Sequence, residues 1–157
     1  MGIILSEIVS EETMKMNFYS EDITLSTNKR IEIIDITDEV YAVVRRSRIR
    51  NGIVNLWAPH STAAIAVNEH DTDLWEDILG VLQRIAPLKG DYRHNAKYGW
   101  STREQNAHAH ILNCIIKPGI SIPLENGRMQ LGTWQSILFI EMDGSRSRRV
   151  HVQVMGE

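Results

Sequence analysis

Over residues 71–86 the apolar positions Leu74, Ile78, Val81, Leu82 and Ile85 recur at intervals of three and four, the period of one helix face. Asp71 can cap the first turn and Pro87 marks a stop. The spacing therefore predicts a helix over 72–86. Asp38 in TDEVYAVVRRSRI predicts a second, shorter helix over 38–48 on the same capping argument. Elsewhere the helical period gives way to β-branched and aromatic runs. NFYSEDITL (17–25) and KRIEIIDI (29–36) predict two strands that are adjacent or lie at a sheet edge. In NGIVNLWAP, Ile53, Asn55 and Trp57 alternate with Val54 and Leu56, a strand ending at Pro59, with STAAIAV as its expected partner. The polar stretch between Lys89 and Gln105 reads as a long surface loop, and loops of that length are often functional. AHAHILNCIIK, SIPLENGRMQLG, WQSILFIEMDG and RRVHVQVMG are short, β-rich and separated by Gly, Pro or Asn, the pattern of an antiparallel meander. The fold class is α+β, an antiparallel β-sheet or sandwich with one main helix and one short helix.

Composition narrows the picture. The chain of 157 residues has the length of one domain, here 1–157, and its 43% hydrophobic and 24% charged residues are those of a soluble globular protein. A net charge of −3 argues against general nucleic-acid binding. No apolar run reaches the roughly 18 residues of a membrane span, and MGIILSEIVSEE is acidic where a signal peptide is basic. A cytoplasmic protein is expected. The only cysteine, Cys114, lies in the apolar run ILNCII and reads as a buried small hydrophobe. Neither a G-x-G-x-x-G nor a P-loop sequence is present.

The candidate chemistry lies in histidines and in three polar clusters. His60 follows NLWAP, His94 sits in DYRH, and His108 and His110 open AHAHIL. On a strand the last two would share a face. Catalytic zinc commonly keeps three protein ligands and an open position, so three histidines from different elements would suffice. The alternative is a set of hydrogen-bonded histidines on a half-buried surface. In 68-NEHD-71, Asp71 reads as a cap, whereas Glu69 is a candidate acid–base group as well as a structural one. In 127-GRMQLGTWQ-135, Gly132 allows close approach of a ligand to Thr133 and Gln135, with Trp134 expected in the core. The arginines of 146-RSRR-149 could clamp phosphate or carboxylate, and those of 45-RRSRIR-50 read as a solvated face or an oligomer contact.

Taken in order, HSTAAIAVNE, Asp77, DYRH, NAHAH, IPLENGRMQLGTWQ and EMDGSRSRR resemble the YjbQ-like family, often labelled secondary thiamine-phosphate synthases, over roughly Phe18 to Gly156. The resemblance implies an α+β fold rich in antiparallel sheet and assembly as a homotrimer or dimer of trimers. It also implies a metal-compatible cluster of His60, His94 and His110, with His108 as a neighbour. By motif, Asn68 and Glu69 become candidate catalytic residues, and Thr133, Trp134, Gln135 and Arg146 candidate substrate contacts. The implied activity joins hydroxymethylpyrimidine diphosphate to a thiazole phosphate. The expected cofactor is a divalent metal, zinc from its histidine ligands, or magnesium where a diphosphate supplies oxygen ligands. A metal-dependent hydrolase of a small phosphorylated or acylated substrate and a non-catalytic trimeric binding protein are the alternatives.

Overall fold

The computed structural model describes residues 15–99 and 104–157. In chain order the elements are β1 (Asn17–Ser26), β2 (Glu32–Asp35), α1 (Thr37–Ser47), β3 (Gly52–Trp57), β4 (Ala63–Asn68), α2 (Thr72–Ile85), α3 (Arg93–Ala96), α4 (Ala107–Ile116), β5 (Gly119–Glu125), β6 (Arg128–Met129), β7 (Ser136–Glu141) and β8 (Ser147–Gly156). The fold is α+β, with two sheets in which every strand pair is antiparallel. The five-stranded sheet runs β1-β8-β3-β5-β6 and the three-stranded sheet β2-β7-β4.

The two sheets differ in how they meet water, and their sequences differ accordingly. In β8, Arg148, Val150, Val152 and Val154 are buried and alternate with more exposed neighbours, so the five-stranded sheet keeps one wet face. Residues 137–141 of β7 are buried without alternation, as a strand covered on both faces must be. One face of the three-stranded sheet meets the five-stranded sheet and α1 around Val40, Val43, Leu56, Ile65, Phe139 and Val152. Its other face carries Ala64, Leu138 and Ile140 against Leu79 and Leu82 of α2 and Ala109 and Leu112 of α4. The order of layers is therefore sheet, sheet, helices.

Several expectations are corrected. β3 and β4 follow one another but belong to different sheets: β3 pairs with β5 and β8, and β4 pairs with β7. β1 and β2 are not adjacent, and the edge alternative holds for both, each lying at the edge of its own sheet. The expected meander is not formed, because β7 joins the three-stranded sheet while β5, β6 and β8 join the other. Its NGR turn does form a hairpin: Asn126 and Gly127 have φ of 53° and 77°, and Glu125 pairs with Arg128.

The largest correction is AHAHILNCII, which is helix α4 and not a strand. Its buried positions Ala109 and Leu112, three apart, line up with Ile116, partly buried four residues further on, on one helical face. Two alanines and a leucine favour that conformation. Cys114 consequently faces outward and is exposed. Of the other helices, α2 begins as expected, Asp71 accepting the amides of Asp73 at 2.9 Å and Leu74 at 3.1 Å. Asp38 does not cap α1. Asp35 does the local work there, its Oδ1 accepting the Thr37 amide at 2.9 Å.

A buried ion pair joins the sheets. Arg148 on β8 donates from Nε and Nη2 to Glu141 at the end of β7, at 2.7 and 2.6 Å. Replacing Arg148 with Met should cost about 3–5 kcal/mol, since the fully buried carboxylate would lose its countercharge. The double replacement Arg148→Met/Glu141→Leu should recover much of that loss. Urea denaturation checks both, and a single variant as stable as the parent would contradict the account.

Candidate functional site

The chain brings three connections together at one end of the three-stranded sheet. The first, between β3 and β4, carries His60, Ser61 and Thr62. It is fastened to α4 by Asn113, whose side-chain amide donates to the Ala63 carbonyl at 2.6 Å and the His60 carbonyl at 3.3 Å. The second enters α4 through Glu104, Gln105 and Asn106. The third, between β7 and β8, carries Asp143 and leads to Arg146 and Arg148. Between them lies a cavity of ≈ 310 Å³ whose walls include His60, Thr62, Asn106, His110, Asp143 and Arg146.

Each polar wall residue has a definite anchor. The Asn106 amide donates to Asp143 Oδ2 at 3.0 Å, which leaves its oxygen to accept from His94 Nε2 at 3.1 Å. His94 thus carries a proton on Nε2. Its ring meets that of His110 with centroids 5.0 Å apart. Because Asn106 is committed here, the buried Asn95 caps the helix instead, its Oδ1 accepting from the Ala107 amide at 3.0 Å. Arg146 donates from Nε to the Asp143 carbonyl at 2.8 Å and from Nη2 to Asp143 Oδ2 at 2.7 Å. His60 Nε2 accepts the backbone N–H of Arg149 at 3.0 Å, placing the proton of the neutral ring on Nδ1.

The helix separates His108 from His110. Two residues turn about 200° around a helix axis, so the pair cannot share a face. His108 is fully buried and bonds through Nε2 to the Met142 carbonyl at 2.9 Å, with Nδ1 unpartnered. His110 lines the cavity. Burial pushes the imidazoles of His60, His108 and His110 below their usual value. The Arg148 charge acts in the same direction on His60, and His94 does so on His110. The ordinary value is about 6.5, so His60 and His110 present neutral rings at neutral pH.

These donors bear directly on a metal. Imidazole nitrogens suit zinc, and His94 and His110 stand together. The lone pair of His60 Nε2, however, is taken by the Arg149 amide, and among the described residues no three His, Cys, Asp or Glu side chains converge closely enough to hold an ion. In this conformation the three histidines are not a ready-made metal centre.

The other expected site residues lie elsewhere. β4 and β7 pair along their lengths, Ala63 opposite Glu141 and Asn68 opposite Ser136. Asn68 and Glu69 therefore stand a strand length from Thr62, roughly 20 Å or more at the usual rise per residue. Thr133, Trp134 and Gln135, just before Ser136, share that far end. Gln135 closes a turn there, its Oε1 accepting the Gly132 amide at 2.8 Å. Trp134 is 73% exposed and not a core residue. The same end holds His70, whose Nδ1 lies 2.6 Å from Asp35 Oδ2 and whose ring packs on Trp75. Burial alone would raise the Asp35 carboxyl, but hydrogen bonds from Thr37 and His70 outweigh it and hold the group below the usual range. Arg46, in the basic run 45–50, forks onto Glu21 at 2.9 and 2.7 Å on the surface.

A family model described as UPF0047 protein YjbQ-like matches residues 21–157. The chain belongs to the YjbQ/UPF0047 family. A UPF0047 protein of Methanothermobacter thermautotrophicus is 42% identical over 90% of this chain and 95% of its own. The UPF0047 protein YugU of Bacillus subtilis is 37% identical, covering 84% and 96%. Among solved structures, a protein of Sulfolobus solfataricus described as YbjQ-like and of unknown function superposes with a TM-score of 0.85 at 38% identity, covering 91% of this chain and all of that one. A hypothetical protein of Aeropyrum pernix gives 0.83 at 38% identity, covering 88% and 99%. Among the described residues no helix is long and apolar enough to cross a membrane.

The depressed histidines make stability depend on pH. A folded His108 held neutral takes up no proton, whereas the unfolded chain does so near pH 6.5. Stability should be complete above that value and fall as pH drops through it, by up to about 1.4 kcal/mol per pH unit for each such histidine. Urea midpoints between about pH 7.5 and pH 5.5 read this directly. His108→Gln, which can still donate to the Met142 carbonyl, should flatten the profile, and an equally steep variant would contradict the assignment.

Proposed function

We propose that this chain is a small-molecule enzyme whose reaction centre is the cavity walled by His60 and His110, with His94 packed against His110. The observation that carries the reading is His110, a neutral imidazole whose ring has no hydrogen-bond partner among the described residues, facing an open polar cavity beside His94. A base with a free lone pair near neutral pH is what proton abstraction from water or a hydroxyl requires. His94 is kept in one tautomer by the chain running through Asn106 to Asp143, and so holds its ring against His110. His60, with its proton on Nδ1, is the candidate acid for a leaving oxygen. The guanidinium of Arg146 supplies positive charge where charge develops on a phosphoryl or acyl oxygen. In hydrolysis, water gives its proton to His110 as the new O–P or O–C bond forms, and the leaving oxygen departs with a proton.

A second reading is the thiamine-phosphate condensation that the family resemblance implies, favoured by Arg146 and Arg148 beside the cavity. There the thiazole nitrogen attacks the pyrimidine methylene carbon and the C–O bond to diphosphate breaks. That step needs a sink for diphosphate charge more than it needs a base. A bound divalent ion would serve either reaction as a Lewis acid. Zinc is the choice for His94 and His110, and His60 would join them by giving up its bond to the Arg149 amide. Magnesium would turn to the carboxylates of Glu104 and Asp143.

Assembly as a trimer completes the proposal. Phe18, Met155, Ile53 and Pro123 lie in one cross-strand row of the five-stranded sheet, with Phe18 and Ile53 64% and 44% exposed. Such a row is covered at low cost by another copy. Asn68, Glu69 and Thr133–Gln135 can enter the reaction centre only from a second copy, since their own chain holds them a strand length away.

His110→Asn should lower turnover by about 10²-fold or more without loss of fold. Phosphate release from small phosphate esters and thiamine-phosphate formation are the two assays, and a wild-type protein inert in both would reject the reading. The acid limb of the kcat/KM profile should lie below about pH 6.5, because both imidazoles are depressed. Light scattering at micromolar concentration should give a trimer that Ile53→Glu dissociates, and a wild-type monomer would contradict the assembly.

A further inference from the structure

Beside the histidine cavity lies a second pocket, of ≈ 180 Å³, lined by Arg30, Asp143, Gly144, Ser145 and Arg146. Asp143 and Arg146 form part of both walls, so the two spaces adjoin. The volume corresponds to about six water molecules at liquid density, enough for one tetrahedral oxyanion with some water. Arg30 belongs to no motif in the sequence and reaches the site only through the fold.

The pocket is built rather than incidental. The Gly144 amide donates to the Arg30 carbonyl at 2.9 Å, and the Arg146 amide donates to Thr27 Oγ1 at 2.8 Å. These bonds fasten the Arg30 backbone to Gly144 and the Arg146 backbone to the Thr27 side chain. A Cβ on Gly144 would stand 2.2 Å from the Lys29 carbonyl oxygen, so this close approach demands glycine. Asp143, with a side chain 5% exposed, lies 2.7 Å from Arg146 Nη2 and 3.5 Å from Arg30 Nη2. Arg30 Nη2 also donates to the Gln105 carbonyl at 2.7 Å. Each guanidinium is thus held by one edge. Nη1 of both arginines and the Ser145 hydroxyl have no protein acceptor among the described residues. One carboxylate faces two guanidiniums, leaving one positive charge uncompensated.

We infer that the Arg30–Arg146 pocket seats a phosphoryl group, whose oxygens take the free guanidinium edges and the Ser145 hydroxyl while the rest of the molecule extends into the histidine cavity. The inference rests on the proposed enzyme and narrows its substrate to a small phosphate or diphosphate ester with its reacting bond a short reach from the anion. Two rigid forks with free edges match tetrahedral oxyanions, and Asp143 disfavours a second, unplaced anion.

Titration calorimetry of the full chain with inorganic phosphate and pyrophosphate tests this. Binding at about 1 mM or tighter is expected. Arg30→Gln should weaken it by at least about tenfold, the effect of losing a charge-assisted hydrogen bond, while Arg30→Lys should retain part of it. Arg30 is 45% exposed, so an unshifted Tm without ligand will show that these variants fold. Absence of binding in the parent, or unchanged binding in Arg30→Gln, overturns the pocket. Binding that follows Arg30 in a protein inert toward phosphate esters sinks the histidine reaction centre and leaves the pocket standing.

Discussion

Everything at the histidine end of the molecule hangs on a carboxylate without exposed surface. Glu141 Oε1 accepts from Arg148 Nη2 and from the amides of Met142 and Asp143 at 3.0 and 2.9 Å, and Oε2 accepts from Arg148 Nε and from Thr27 at 3.0 Å. Burying a charge costs several kcal/mol unless it is paired and its remaining lone pairs are filled, and here they are. Glu141 ends a strand of the inner sheet and Arg148 begins one of the outer sheet, so the pair fixes the two layers in register. Thr62 joins through its hydroxyl, 2.9 Å from Arg148 Nη2, and with it the segment bearing His60. The turn that holds Asp143 and Arg146 is wound onto the same carboxylate. A change in this pair would therefore displace two walls of the cavity at once.

The hydrophobic pattern made some of the fold legible. The three–four spacing of α2 and the carboxylate of Asp71 specify that helix locally, and the structure differs by one residue at its end. Local signals are weaker for α4, because the exposed Ile111, Cys114 and Ile115 mask a helical period that Ala109, Leu112 and Ile116 carry. The misreading mattered chemically, since it put His108 and His110 on one face. Sheet membership was not legible at all. Partners such as Val54 and Val154 are a hundred residues apart, and no local rule chooses between the two layers for a β-branched run. What the sequence does encode is the environment of a strand: RRVHVQV alternates and keeps a wet face, whereas ILFI does not alternate and is buried on both.

The site divides in the same way. His60, His94 and His110 were singled out by type and motif, and the fold draws them to one end of the sheet. Arg30 lies in none of the family motifs, and Asn106 and Asp143 lie inside NAHAH and EMDGSRSRR without a role of their own, because each acts through a contact that only the fold creates. At the start of a helix an asparagine ordinarily caps the first turn, the position Asn106 holds at α4. Its side chain is instead spent on Asp143 and His94, and Asn95 supplies the missing cap. A residue found away from its cheapest local role is a signal of function, but one that becomes visible only with the coordinates.

The far end of the inner sheet poses a separate constraint. Glu69 and Trp134 stand roughly 20 Å or more from the histidine cavity of their own chain, along β4 and β7. Across that distance through solvent two unit charges interact by only about 0.2 kcal/mol, less still with salt. Glu69 is therefore electrostatically remote from His110 within one subunit. The exposure of Trp134 argues the same way, since an indole surrounded by water contributes neither packing nor a pocket wall to its own chain. The two ends of the sheet are independent chemical regions in one chain, and any coupling between them has to pass through an interface that places one end of a protomer against the other end of its neighbour.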